Sequence, residues 1–303
     1  MIKRTLCFSN PAYLSMQNRQ LVVRLEKHGT ESERQTTTIP IEDIGMVLLD
    51  NPQITLTHGL MAALLDNNAS VITCDSHHMP VGLTLPLEGH TVQSERFQDQ
   101  LSASQPLRKQ LWQQTVQQKI LNQAALLREL HGTETGNMTA WAAEVRSGDS
   151  TNLEGRAAAY YWIQLLPDIP GFTRSRDGMY PNNFFNYGYA ILRAVIARAL
   201  VSSGLLPTLG IHHHNRYNAY CLADDIMEPY RPYTDRLVVQ TLKQFPQTAE
   251  VTTDIKRLLL TIPTLEVNIN GQRSPLMVAA SQTTASLARC FAGESRKLSY
   301  PEM

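Results

Sequence analysis

The sequence has no net charge: 27 lysines and arginines balance 27 aspartates and glutamates over 303 residues. A protein that coats polyanions through bulk positive charge is excluded, so any nucleic-acid surface has to come from how charge is distributed. Cysteine is scarce. Cys7, Cys74, Cys221 and Cys290 lie far apart and form no CxxC pair, which excludes a CxxC redox or metal motif and fits a reduced, cytoplasmic protein. The opening residues, MIKRTLCFSNPAYLSM, hold no apolar run long enough for a signal peptide. Internal repeats, low-complexity tracts, a glycine-rich phosphate loop and a dinucleotide fingerprint are all missing. Charged residues make up 18% against 43% apolar, a globular rather than a disordered balance. The length suits two domains.

Charge is uneven along the chain. Residues 1–95 carry 6 Lys/Arg against 10 Asp/Glu, and residues 96–303 carry 21 against 17. From Arg146 to Arg236 every basic residue is arginine, whose planar fork suits bidentate phosphate contacts. Pairing with nearby acids such as Asp177 and Asp235 accounts better for several of them. This bias permits DNA binding without requiring it.

Residues 1 to about 56 read as β structure, with Tyr13–Met16 and Leu21–Leu25 as a hairpin. A charged, threonine-rich turn follows, then strands at Thr38–Ile41 and Gly45–Leu49. Ile54–Asn67 has helical spacing, and Val71–Cys74 and Val81–Leu85 are strands flanking a His77-His78 turn. Pro86–Ser104 is polar and weakly periodic, so the domain boundary falls there. The expected fold class is α+β: a small, mostly-β N-terminal domain, residues 1–90, and a larger, all-helical C-terminal domain, residues 91–303, carrying the site.

In the second domain a long helix opens at Pro106 and stops at His131-Gly132. Met138–Val145 is a short helix, and Thr151 with Glu154 fits a capping box opening the next. Phe184–Val201 approaches the length of a membrane span. Asn186, Arg193 and Arg198 oppose insertion, at roughly 2.5–3.5 kcal/mol per central arginine, so a buried bundle helix is expected. Amphipathic helices at Asp235–Phe245 and Ile255–Leu260 come next. Thr264–Ile269 then alternates before the turn pair Asn270-Gly271, and a last helix runs from Pro275 to Phe291.

The chemistry concentrates in LGIHHHNRYNAYCLADDIMEPYRP, Leu209–Pro232. His212, His213 and His214 sit among turn residues, and Asp224, Asp225 and Glu228 follow at helical spacing. Imidazole and carboxylate are the usual ligands of a catalytic divalent ion. By composition alone, a solvated histidine loop and an acidic run complementing the helix dipole explain the stretch as well.

Three motifs in order resemble one family. They are TNLEGRAAAYYW (Thr151–Trp162), NNFFNYGYAILR (Asn182–Arg193), and the pattern G-I-x-H-x-N-x-x-N leading into LADDIMEPYRP. KILNQA, with Lys119, Asn122 and Gln123, adds a fourth. The chain resembles, over nearly its whole length, the integrase that inserts new spacers into CRISPR arrays, in the form found with type II systems. The resemblance implies one Mg²⁺ or Mn²⁺ held by Glu154, His213 and Glu228, with catalysis at these residues. His213 is chosen by gapless alignment of LADDIMEP; His212 and His214 fall on positions where the family varies. Asp225 is expected to orient His213 or bind through water, and Asn186 and Arg231 to support the site or contact DNA.

The implied activity is metal-dependent DNA endonuclease and integrase chemistry, with a DNA 3′-hydroxyl attacking the repeat. It is expected to fall at acidic pH as His213 protonates near about 6.5. The implied partners are a second copy in a homodimer, a small adaptation protein joining two dimers into a heterohexamer, and duplex DNA. The type II RNA-guided effector nuclease is a further one, and no membrane is involved. Residues 1–90 are expected to carry dimer and partner contacts. Two other readings stay open: a catalytically inactive DNA-binding scaffold, and a metal-dependent phosphodiesterase acting on another substrate.

Overall fold

The computed structural model describes residues 3–25, 36–176, 178–246 and 248–303. The charged turn after Leu25, and Asp177 as an arginine partner, lie outside the described residues. Contacts divide the chain into two units, Met1–Gly89 and His90–Met303.

Among the described residues, the first unit holds two four-stranded sheets and one α-helix. Strands β1 (Arg4–Phe8), β5 (Ile44–Leu49) and β7 (Ser70–Cys74) run parallel, with β8 (Pro80–Thr84) antiparallel at one edge. The second sheet is β4 (Thr36–Pro40), β3 (Gln20–Leu25), β2 (Ala12–Gln17) and β6 (Thr55–Leu56). The β2–β3 hairpin has the register the alternation suggests, Leu14 facing Val23 and Met16 facing Leu21. Leu14, Leu21, Ile44, Val47, Leu60, Leu64 and Val71 form one core cluster, the ordinary outcome of inward-facing alternate residues.

Helix α1 (His58–Asp66) starts later than its spacing predicts. Thr55 and Leu56 pair with Tyr13 and Leu14 as β6, and the Thr57 side chain accepts the Leu60 amide as N-cap. β-branched Thr55, with Leu56, joins the open sheet edge, and Thr57 starts the helix as its cap. Between β7 and β8, His78 has φ 61° and its ring nitrogen lies 2.9 Å from Asp50 Oδ1, so it serves a turn.

The second unit is helical: α2 (Gln93–Ser102), α3 (Gln105–His131), α4 (Gly136–Glu144), α5 (Leu153–Leu165), α6 (Asn182–Ser202), α7 (Cys221–Met227), α8 (Arg231–Gln244), α9 (Thr253–Leu259) and α10 (Leu276–Phe291). One small sheet accompanies the helices, with β9 (Glu266–Ile269) between β10 (Gln272–Pro275) and β11 (Pro301–Glu302). Asn270 and Gly271 both have positive φ, as the hairpin turn requires. The α+β class stands, with this sheet as an addition to the all-helical expectation.

Helix α6 is the centre of the unit. Phe184, Phe185, Tyr187, Ile191, Leu192, Ile196 and Leu200 are fully buried, so a helix long and apolar enough to cross a membrane is spent on core packing. Helix α3 is set by its ends. Ser104 accepts the Leu107 amide, Pro106 occupies the first turn, and Gly132 closes it at φ 63°.

Helix α2 falls where the polar sequence suggested only a boundary. Its anchor is polar. Gln100, 1% exposed, donates to the Leu206 and Leu209 carbonyls and accepts the Leu206 amide. A single satisfied amide replaces the apolar stripe that periodicity detects.

Candidate active site

The histidine loop is built from behind. Gln100 fixes its approach at Leu206 and Leu209, and the Pro207 carbonyl accepts the amides of Leu222 and Ala223 at the start of α7. The loop then returns over Gly210. A Cβ there would meet the His213 carbonyl oxygen, and would stand 2.8 Å from Asp225 Oδ2. Only glycine leaves room for this close approach.

Asp225, fully buried on α7, gathers the loop. Its carboxylate accepts the His212 amide at 2.9 Å, the His213 amide at 3.3 Å and His213 Nδ1 at 2.5 Å. A carboxylate only accepts, so Nδ1 carries the hydrogen and neutral His213 keeps its lone pair on Nε2. That hydrogen bond, followed against burial by the negative charge around it, raises the His213 pKa. His212 goes elsewhere. Its ring stacks on buried Trp112, centroids 4.1 Å apart and 3° from parallel, and burial followed by the nearby His213 lowers its pKa. His214 is exposed.

The two glutamates come from distant elements. Glu154 sits in the first turn of α5, but the expected capping box does not form. Asn152, at φ 53°, is the N-cap and accepts the Gly155 amide. The Asp149 carboxylate takes the amides of Leu153 and Glu154. With those donors satisfied by Asn152 and Asp149, the Glu154 side chain does not cap its own helix and reaches Lys119 instead. Glu228 follows α7 as the first residue of a 3-10 turn, Glu228–Tyr230. Asn122 of α3 holds that turn by donating to the Pro229 carbonyl at 2.7 Å. Asp224, on the same face by spacing, is taken by Arg193 at 2.6 Å and Asn218 at 2.7 Å.

Glu154 and Glu228 meet at Lys119. The Lys119 ammonium, on α3, stands 2.5 Å from Glu154 Oε1 and 2.5 Å from Glu228 Oε2. The other Glu228 oxygen faces Arg231 Nη2 at 3.0 Å. Burial alone would lower the Lys119 pKa, but Glu228 and Glu154 raise it. Burial likewise works against ionised Glu154, and Lys119, followed by His213 and Arg231, brings its pKa below the ordinary value. Sequence reasoning saw Lys119 as part of a motif and missed its place in the site. Its signal was a lysine between Val116 and Ile120 on a buried face that also carries Thr115, Asn122 and Gln123.

A buried polar network backs Glu228. Arg231 lies over the Tyr189 ring at 4.5 Å, and the Tyr189 and Tyr161 hydroxyls donate to Asp235 at 2.6 and 2.8 Å. Burial pushes the Asp235 pKa up to about 6 despite both hydroxyls. Asp235 is therefore held by tyrosines, not by the arginine pairing expected from sequence. Arg236 pairs with Glu129 instead. Asn186 accepts Arg174 at 2.7 Å and donates to the Arg176 carbonyl, and Arg174 lies over the same Tyr189 ring at 5.0 Å, so Asn186 reaches this network through that arginine.

Beside the loop opens a cleft of about 580 Å³ lined by Arg108, Lys109, Trp112, Gly148, His212 and His214, among others. No acidic side chain lines it among the described residues.

The family model described as CRISPR associated protein Cas1 matches residues 6–263. The chain belongs to the Cas1 family. A Cas1 described as a CRISPR-associated endonuclease, from Neisseria meningitidis serogroup C, is 36% identical over 310 residues, covering 100% of this chain and 97% of that protein. Among solved structures, a casposase bound to integration product superposes with TM-score 0.79 at 19% identity, covering 98% of this chain and 92% of that one. A chain of a Cas6-RT-Cas1–Cas2 complex gives TM-score 0.75 at 19% identity, covering 97% of this chain and 35% of that one. At such identities the two structures speak for the Cas1 fold alone.

The donor chemistry at this Cas1 site fits a hard or borderline divalent ion: two carboxylates and an imidazole with a free lone pair. Buried Glu228 Oε2 has no hydrogen-bond partner, its neighbour being the Lys119 charge. Among the described residues no three His, Cys, Asp or Glu side chains already converge as a ligand group. The carboxylates converge on an ammonium.

Proposed function

We propose that this Cas1 chain is a metal-dependent DNA endonuclease and integrase that inserts protospacer DNA into a CRISPR array. The observation that carries the reading is the meeting of Glu154 and Glu228 around one cation position, beside a His213 ring oriented by Asp225. Glu154, His213 and Glu228 would hold Mg²⁺ or Mn²⁺. Such an ion, when bound, supplies Lewis-acid polarisation of a phosphodiester and charge neutralisation.

The chain's own residues do the rest. Asp225 keeps the hydrogen on His213 Nδ1 and so keeps Nε2 available. Arg231 and Asn122 fix the Glu228 turn, and the acid-free cleft at Arg108 and Lys109 offers phosphates a positive wall. The reaction is a transesterification. A protospacer 3′-oxygen forms a bond to phosphorus of the repeat strand, and the old phosphorus–oxygen bond breaks to release that strand's 3′-hydroxyl. With water as nucleophile the same site hydrolyses DNA. No covalent enzyme intermediate is needed.

The solved Cas6-RT-Cas1–Cas2 complex and the casposase bound to integration product support a Cas2-like partner and DNA; the reading adds a homodimer, two of which the partner bridges into a heterohexamer, acting in the cytoplasm. In a type II system the RNA-guided effector nuclease is the further partner. The unit Met1–Gly89 is assigned the dimer and partner contacts.

The test is joining of a labelled duplex with 3′ overhangs to a repeat-bearing plasmid, with the partner added, in Mn²⁺ or Mg²⁺ against EDTA. Joining that needs the ion and is lost in Glu228→Ala is expected. Joining unchanged in that variant overturns the ligand assignment. No joining by the wild type in any metal moves the chain to the role of a DNA-binding scaffold.

A further inference from the structure

Lys119 is placed where a cation belongs. Its ammonium is 2.5 Å from a carboxylate oxygen of each proposed metal ligand, Glu154 and Glu228, and the residue is 8% exposed. The two glutamates come from elements 74 positions apart in sequence, and no hydrogen bond of the described residues joins them to each other. Lys119 is the group that brings them together. The lysine itself stands on a 27-residue helix capped at both ends. One turn further on, Asn122 clamps the Pro229 and Pro301 carbonyls.

Glu228 has cations on both sides, Lys119 at Oε2 and Arg231 at Oε1. The two contacts differ. Arg231 is anchored elsewhere, over the Tyr189 ring, whereas the Lys119 ammonium has flexible methylenes behind it and its charge partners are the two glutamates. Lys119 is the cation in contact with both carboxylates.

We infer that Lys119 is a built-in placeholder: its ammonium holds Glu154 and Glu228 converged in the metal-free protein and is displaced by the divalent ion. The inference rests on the proposed metal site and names a residue that is not a ligand of it. Lys119 is a positioning residue. It keeps a buried carboxylate, Glu228, and a half-buried one, Glu154, from repelling one another, and it competes with the ion for the same oxygens. Both effects act in one direction when the charge is removed. Without the ammonium the carboxylates repel, that repulsion is relieved by an incoming ion, and no fixed cation has to leave.

Mn²⁺ binding by calorimetry, together with the thermal midpoint with and without Mn²⁺, tests this on the full chain. Four proteins are needed: wild type, Lys119→Met, Lys119→Arg and Glu228→Gln. Lys119→Met is expected to melt lower than wild type without metal, to regain most of the difference in saturating Mn²⁺, and to bind Mn²⁺ roughly tenfold or more tightly than wild type. Lys119→Arg keeps the charge, so it binds Mn²⁺ no more tightly than wild type and provides the readout should Lys119→Met not fold. Arginine binding Mn²⁺ more tightly than lysine overturns the inference.

A merely structural lysine gives a different pattern. Its removal lowers the midpoint equally with and without Mn²⁺ and leaves affinity unchanged or weaker, which overturns the placeholder while Glu228→Gln still loses the ion. Equal Mn²⁺ binding in wild type and Glu228→Gln, or none in any of the four, overturns the metal site itself and the placeholder with it.

Discussion

Asp225 holds His213 twice, accepting the ring Nδ1–H at 2.5 Å and the backbone amide at 3.3 Å. A third bond, from the His212 amide, makes this one carboxylate the point where the histidine loop is tied to α7. The loop's geometry is thus set by a residue that need not touch the reacting atoms. Replacing it by asparagine keeps the shape and removes the charge. Asp225→Asn is expected to speed hydrogen exchange at the His212 and His213 amides. Joining activity falls about 10–100-fold, the usual cost of losing an outer carboxylate partner. Unchanged exchange at both amides contradicts the tie.

Gly210 makes a second prediction at the same place. A Cβ there runs into the His213 carbonyl and the Asp225 carboxylate. The obstruction is backbone, which cannot rotate away. Gly210→Ala is expected to lose activity nearly as fully as a ligand variant while the rest of the fold, read by circular dichroism, is retained. Wild-type joining by this variant would show that the loop does not pack as described.

The triplet His212-His213-His214 divides by contact. His212 is stacked on Trp112, His213 is held on Asp225, and His214 is exposed. His212→Ala is expected to lower stability by losing the stack, worth about 0.5–1.5 kcal/mol beyond burial, and to keep joining within a few-fold. His213→Ala abolishes joining with little change in melting. The reverse pattern assigns the chemistry to His212.

How much of this was legible in the sequence follows from how each contact is made. The β2–β3 hairpin, the Asn270-Gly271 turn, the limits of α3 and the burial of α6 were readable because periodicity and turn chemistry are local. Helix α2 was not, because its anchor is one amide, Gln100, bonded to chain more than a hundred residues away. The cap of α5 was misread for a related reason. Thr151-x-x-Glu154 matches the capping template, but Asn152 and Asp149 supply the oxygens. Around the site, the types of the donors were legible and their partners were not. Nothing local announces that a helix-borne Lys119 meets Glu154 and Glu228, because that depends on the packing of α3 against two distant segments.

Asp235 gives a prediction in pH. Its folded carboxyl titrates near 6 because of burial, against 3.8 ordinarily. Between those values the folded protein holds a proton that the unfolded chain has released. This group's contribution is therefore fully present below about pH 4 and is lost as pH rises through about 6. Asp235→Asn removes that slope. Urea unfolding from pH 4 to 7 is expected to show the variant gaining on wild type by an amount on the order of 2–3 kcal/mol across the window. Parallel curves would mean that the two tyrosine hydroxyls fully compensate the buried charge.

The central claim is that Glu154, His213 and Glu228 hold one divalent ion. Anomalous diffraction from crystals soaked in Mn²⁺ tests it most directly. The account predicts a single strong peak in this unit, bonded to both glutamates and to His213 Nε2, with the Lys119 ammonium moved off the carboxylates. A peak on His212 or His214, or carboxylates still bridged by Lys119 at saturating Mn²⁺, contradicts it.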